Sequence, residues 1–150
     1  MAEIHIEDFY HDAGMTLLHL YGAFPRKYSV YVEDIIGPSP TDDFGLHSKR
    51  HESCFSTMIW LADEGLIRYE ALIQREAIDQ AVLTQRAFVS LTTLHTAPLF
   101  PAASTDPASV VTQKHTIISQ LRSAFKQGSS IEKEEIMRYF LAKYSKYPNI

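Results

Sequence analysis

His47, His51 and Cys54 follow one another at spacings of four and three, which would align three metal-competent side chains along one helix edge. A zinc ion would need a fourth ligand or a water, and no neighbouring residue supplies it. The three are therefore only weak metal candidates, and no cofactor is expected. His11-Asp12 and His19 offer acid-base groups without a surrounding motif. Asp42-Asp43 and Glu134-Glu135 read as solvated loop and helix surface. With six glycines in all, the chain has no phosphate-cradling loop and no nucleophile elbow. These residues predict a protein that is not an enzyme.

A second set has different chemistry. At 100° per residue, Lys49, Ser53, Ser56, Thr57 and Trp60 share one side of a helix, with Arg50 near its margin. The opposite side holds His51, Phe55, Met58, Ile59 and Ala62, flanked by Cys54 and Leu61, and is expected to be core. Lys49 and Arg50 suit phosphate contact. Trp60, the only tryptophan, suits a protein contact better than base-edge readout.

The elements that would position these residues can be read from periodicity. Residues 6–24 form a helix with Phe9, Ala13, Leu17, Leu20, Tyr21 and Phe24 as its stripe, stopped by Pro25. Residues 28–32 are a short strand, and "VEDIIG" is a short helix closed by Gly37. "PSPTDDFG" is a loop that Phe44 and Leu46 should anchor. Ser48 caps a helix running to about Glu64, with Gly65 as its left-handed terminator. Residues 67–73 and 78–83 are strands around a "QREA" turn, and Thr84 opens another helix. Three prolines lie within "HTAPLFPAASTDPAS", a strap that Leu99 and Phe100 should pin down. One helix follows over about 107–126, with Val110, Val111, Ile117, Ile118, Leu121 and Phe125 as its stripe. "KQGSS" breaks it. The last helix begins at Ser130, with Ile131, Ile136, Phe140, Leu141 and Tyr144 on one face.

"TMIWLADEGLIRY" and "AVLTQRA" resemble the winged helix-turn-helix superfamily, as seen in bacterial regulators. In that pattern a helix ends in Leu, three polar residues, Gly, Leu and Ile, and the wing returns into a Leu-Thr pair. Leu61, Gly65, Leu66, Ile67, Leu83 and Thr84 match it, over roughly residues 28–94. Ala87 stands where the family has Gly. The resemblance implies a winged helix-turn-helix domain, which with the N-terminal helix spans 1–94; the residue patterns add a Pro/Ala/Ser/Thr strap over 95–106 and a C-terminal helical hairpin over 107–150, for an α+β, mostly α chain. It also implies that Lys49, Arg50, Ser53, Ser56, Thr57 and Trp60 lie on the recognition-helix face, with Arg68 and Arg75 on the wing.

Charge separates the two functions such a scaffold serves. Residues 1–96 hold seven Lys+Arg against fourteen Asp+Glu; residues 97–150 hold seven against four. DNA-binding domains normally bring a basic face, and here the acidic part carries the recognition helix. The expected function is a protein interaction module acting as a homodimer with an unidentified protein partner. The alternative is a transcriptional regulator that binds duplex DNA. Cys54 is the only cysteine, so no intramolecular disulfide forms. The start "MAEIHIEDFY" lacks the marks of a signal peptide, and no run reaches the ~18 apolar residues of a membrane span. A cytoplasmic protein without membrane contact is expected.

Overall fold

The computed structural model describes residues 3–143 and is α+β, with seven helices and a four-stranded antiparallel sheet. The chain divides into two compact units, 1–84 and 85–150. Among the described residues, no helix is long and apolar enough to cross a membrane.

The first unit begins with α1 (Ile4–Ala23), β1 (Tyr28–Tyr31) and α2 (Val32–Ile36). Gly37 closes α2 at φ 85°, donating its N–H to the Glu33 carbonyl. Then come α3 (Lys49–Asp63), β2 (Ile67–Arg68), β3 (Ala71–Ile73) and β4 (Ala77–Leu83). β4 is the centre of the sheet: β1 pairs with one edge, while β2 and β3 pair with the other. Neighbours on both edges explain why Ala77, Ile78, Ala81, Val82 and Leu83 are all buried, without clean alternation. The strand expected over 67–73 is interrupted at Tyr69 and Glu70. A bulge with Gln80 at φ 51° shifts the register between β1 and β4 there.

Both ends of α3 follow local rules. Ser48 Oγ accepts from the His51 N–H at 3.1 Å. At the other end Gly65 has φ 78°; its N–H donates to Ala62, and the Leu66 N–H reaches back to Leu61. These two bonds form a Schellman motif, which needs a residue that accepts positive φ. Replacing Ser48 by Ala is expected to cost about 1 kcal/mol. The check is a lower urea midpoint at unchanged slope; an unmoved midpoint would show that the cap contributes nothing.

The loop before α3 corrects one expectation. Phe44 and Leu46 do not anchor it; they are 87 % and 63 % exposed. Asp42 holds the loop instead, its Oδ1 accepting the N–H groups of Phe44 and Leu46, both at 2.9 Å. A side chain that bonds its own backbone two to four residues on replaces apolar anchoring.

The second unit contains α4 (Gln85–Leu91), α5 (Ala108–Lys114), α6 (Ile117–Gln127) and α7 (Ser130–Lys143), with α6 and α7 packed together. The helix after β4 thus groups with the C-terminal part. The single helix expected over 107–126 is two helices. Residues 115–116 leave the helix to pair with the 93–95 segment: the His95 N–H donates to His115, and the Ile117 N–H donates to Thr93. Thr116 then caps α6, accepting the Ser119 N–H. On α7, Ile136, Met137 and Phe140 are buried, but Ile131 is 67 % exposed and is not part of the core. Tyr144, assigned to the same stripe, lies outside the described residues.

Candidate interaction face on helix α3

The face of α3 predicted to look outward is not uniform. Lys49, Ser53 and Ser56 are exposed. Thr57 is buried, and its hydroxyl donates to the Ser53 carbonyl at 2.9 Å. Arg50 turns inward: Nη1 and Nη2 donate to Asp12 Oδ2 and Oδ1 at 2.6 and 2.7 Å, and Nε lies 3.5 Å from Asp8. The cause is α1, which packs against α3, setting Asp12 against Arg50 and Cys54 and placing Ile6 and Phe9 beside Thr57. α3 therefore buries a wider arc than one wheel face, whereas Ile59 and Ala62, expected in the core, are only half-buried.

Asp12 is the residue that organises this contact. Its side chain is 1 % exposed. Burial alone would raise its pKa. The hydrogen bonds and charges of Arg50 and His11 outweigh burial and hold the carboxyl below its ordinary value. Cys54 lies beside this pair, and burial pushes its thiol strongly upward, with Asp12 adding to the shift. A thiol kept protonated is a poor metal ligand.

The other metal candidates point elsewhere. The rings of His47 and His51 stack at 3.7 Å between centroids, 1° from parallel. His51 Nε2 donates to the Arg75 carbonyl at 2.7 Å, and His47 Nε2 is 3.4 Å from Glu76. The two imidazoles thus dock the β3–β4 turn onto the start of α3. Among the described residues, no group of three or more His, Cys, Asp or Glu side chains converges on a metal-sized point.

Arg75, expected on the wing tip, folds back. Its guanidinium pairs with Glu52 on α3 and lies 5.3 Å over the Phe55 ring. That pairing holds the Glu52 carboxyl below its ordinary range. Arg68 remains exposed on β2.

Beside the exposed Lys49, Ser53 and Ser56, α3 also leaves an apolar group open. Trp60 is 39 % exposed and meets Phe9 of α1 edge-on, with centroids 5.1 Å apart and planes at 87°. Ile6, Phe9, Ser56, Thr57 and Trp60 line a shallow cleft of about 400 Å³. On the far side of Ser56 and Trp60, a second cleft of about 360 Å³ runs over Phe55 and Ile59 to Asp63 and Arg75. Helical periodicity predicts Phe9 and Ile59 in the core, but both are cleft walls: Phe9 at the seam of α1 with α3, Ile59 on the side of α3 that Arg75 reaches. No family model, curated protein or solved structure matches this chain.

Proposed function

We propose that the protein is a non-enzymatic interaction module on a winged-helix scaffold, dimeric and meeting a protein partner through the outer face of α3. The element order from α1 to β4, with β4 central, supports the scaffold. One observation carries the choice of partner. Trp60 stands between two shallow clefts, the one towards α1 mostly apolar, while Arg50 and Arg75, two of the cations that would meet phosphate, are held by Asp12 and Glu52. A partly open indole beside a shallow apolar cleft matches the anchors of protein interfaces. DNA contact requires several free cations on one face. Val89, Leu94 and Ile131, exposed on the second unit, support self-association as well.

Sedimentation equilibrium and a duplex DNA titration test this together. The expected result is self-association of the full chain and no retention of random duplex DNA at about 50 mM salt. Trp60→Ala should weaken binding of the partner by about 30-fold or more, the effect of an interface hot spot. DNA retention that disappears in Lys49→Glu would sink the protein-contact reading in favour of DNA recognition.

A further inference from the structure

A recess at the C-terminal end of α1, outside the α3 face, is lined by His19, Gly22, Ala23, Arg26, Lys27 and Tyr28 and has a volume of about 240 Å³. We propose that it binds a small phosphate-bearing anion of the phosphomonoester type. The polar side-chain groups of this lining are an imidazole, a guanidinium, an ammonium and a phenol, with no carboxylate among them. That chemistry selects an anion and rejects a metal cation.

Three observations make the recess more than a basic surface spot. His19 Nε2 is shielded from solvent and has no hydrogen-bond partner in the protein. A buried polar atom of this kind normally has one, and with a proton on Nε2 it would donate to an anion oxygen. Arg26 carries no ion pair among the described residues, although the first 84 residues hold six Lys+Arg against fourteen Asp+Glu. An unpaired arginine in so acidic a unit keeps its five-donor fork available for a bidentate contact. Finally, part of the negative helix end is screened from the recess. The carbonyls of Leu20, Tyr21 and Ala23, which would repel an anion, are occupied by the N–H groups of Phe24 and Arg26.

The remaining walls define the ligand class. Lys27 pairs with Glu70 but has three donors, leaving others for a ligand. The Tyr28 ring lies within 10° of the His19 ring plane at 6.3 Å between centroids, giving the recess an aromatic side. Gly22 contributes no side chain, and the space where its Cβ would lie is open. Guanidinium, ammonium, imidazole and phenol together offer more donors than one planar carboxylate takes, and suit the three terminal oxygens of a phosphomonoester. The volume falls below the ~300–1,000 Å³ of ordinary ligand pockets, which limits the organic part to a small group.

Calorimetric titration of the full chain with phenyl phosphate tests the site, beside sedimentation with vesicles containing phosphatidic acid, whose headgroup is a phosphomonoester. The expected result is saturable binding of phenyl phosphate, weakened about 10-fold or more in Arg26→Ala, an exposed position whose loss leaves the fold intact. Glu70→Gln, which frees Lys27, should tighten binding by about 2- to 5-fold. Shifts of the His19 ring signals on titration would place the anion at Nε2. Vesicle binding that phenyl phosphate displaces and Arg26→Ala removes supports the site with a lipid headgroup as its source. Binding of phenyl phosphate without vesicle binding supports a free monoester. The proposal is overturned if no saturable binding occurs up to about 10 mM, or if Arg26→Ala binds as well as the unaltered protein.

Discussion

Arg50→Ala is expected to destabilise the first unit by about 3 kcal/mol and to invert its response to acid. Asp12 lies nearly sealed from water, and two arginine N–H groups satisfy its carboxylate. Removing the guanidinium leaves a buried carboxylate with only His11 and the Cys54 thiol beside it. Breaking a buried pair in this way costs about 3–5 kcal/mol. The lower end applies because Arg50 keeps a third of its side chain exposed, where water screens the pair.

The pH dependence follows from the same geometry. In the unaltered protein the folded-state pKa of Asp12 is depressed. The folded state then binds fewer protons than the unfolded one, so the contribution is complete above the ordinary value near 3.8 and is lost as pH falls through the folded value. In Arg50→Ala the largest single influence, burial, is opposed by His11 alone, and the Asp12 pKa is expected to rise above its ordinary value. That variant should lose stability as pH climbs from about 4 upward. Urea titrations across this range, followed by Trp60 fluorescence, measure both slopes. Parallel profiles for the two proteins would refute the assignment.

Gln120→Leu is expected to cost about 2–3 kcal/mol and to expose the strap over residues 95–106 to protease. Gln120 is 1 % exposed on α6. Its Oε1 accepts the Phe100 N–H, and its Nε2 donates to the carbonyls of Phe100 and Lys114, each at 2.8 Å. Leucine fills a similar volume, so the loss is of three hydrogen bonds of about 1 kcal/mol each rather than of packing. Further ties remain: the Ala102 N–H donates to His115 Nε2, and the Ala103 N–H donates to Asp106. The substitution should therefore loosen the strap without releasing it. Denaturant titration and limited proteolysis within residues 97–106 check the two effects. Cleavage no faster than in the unaltered protein would show that Leu99 and Phe100 hold the strap unaided.

Local rules were legible wherever a few adjacent residues decide the outcome. The Ser48 cap, the Gly65 terminator, the Gly37 stop and the turn after Ile73 depend on neighbours within about four positions, and periodicity located α1 and α3 to within a few residues. The strap was expected to pack through Leu99 and Phe100, and both are half-buried. The polar clamp of Gln120 on Phe100 was not legible, because it joins positions twenty apart through a loop whose path composition does not specify.

The candidate face shows the same division. Residue types and spacing alone determined that α3 begins with two cations, carries the only tryptophan and sits in an acidic stretch. Tertiary packing decided what each of them does. α1 laid Asp12 against Arg50 and drew Thr57 inward, Phe9 met Trp60 edge-on, and the β3–β4 turn brought Arg75 to Glu52. The physical reason is that a helix wheel knows the angle of a side chain but not how many neighbours surround the helix. With α1 on one flank and the β3–β4 turn on another, two arginines suited to phosphate became partners of carboxylates. The surface left open includes the indole and the clefts beside it, with Lys49 and Ser53 towards the start of α3.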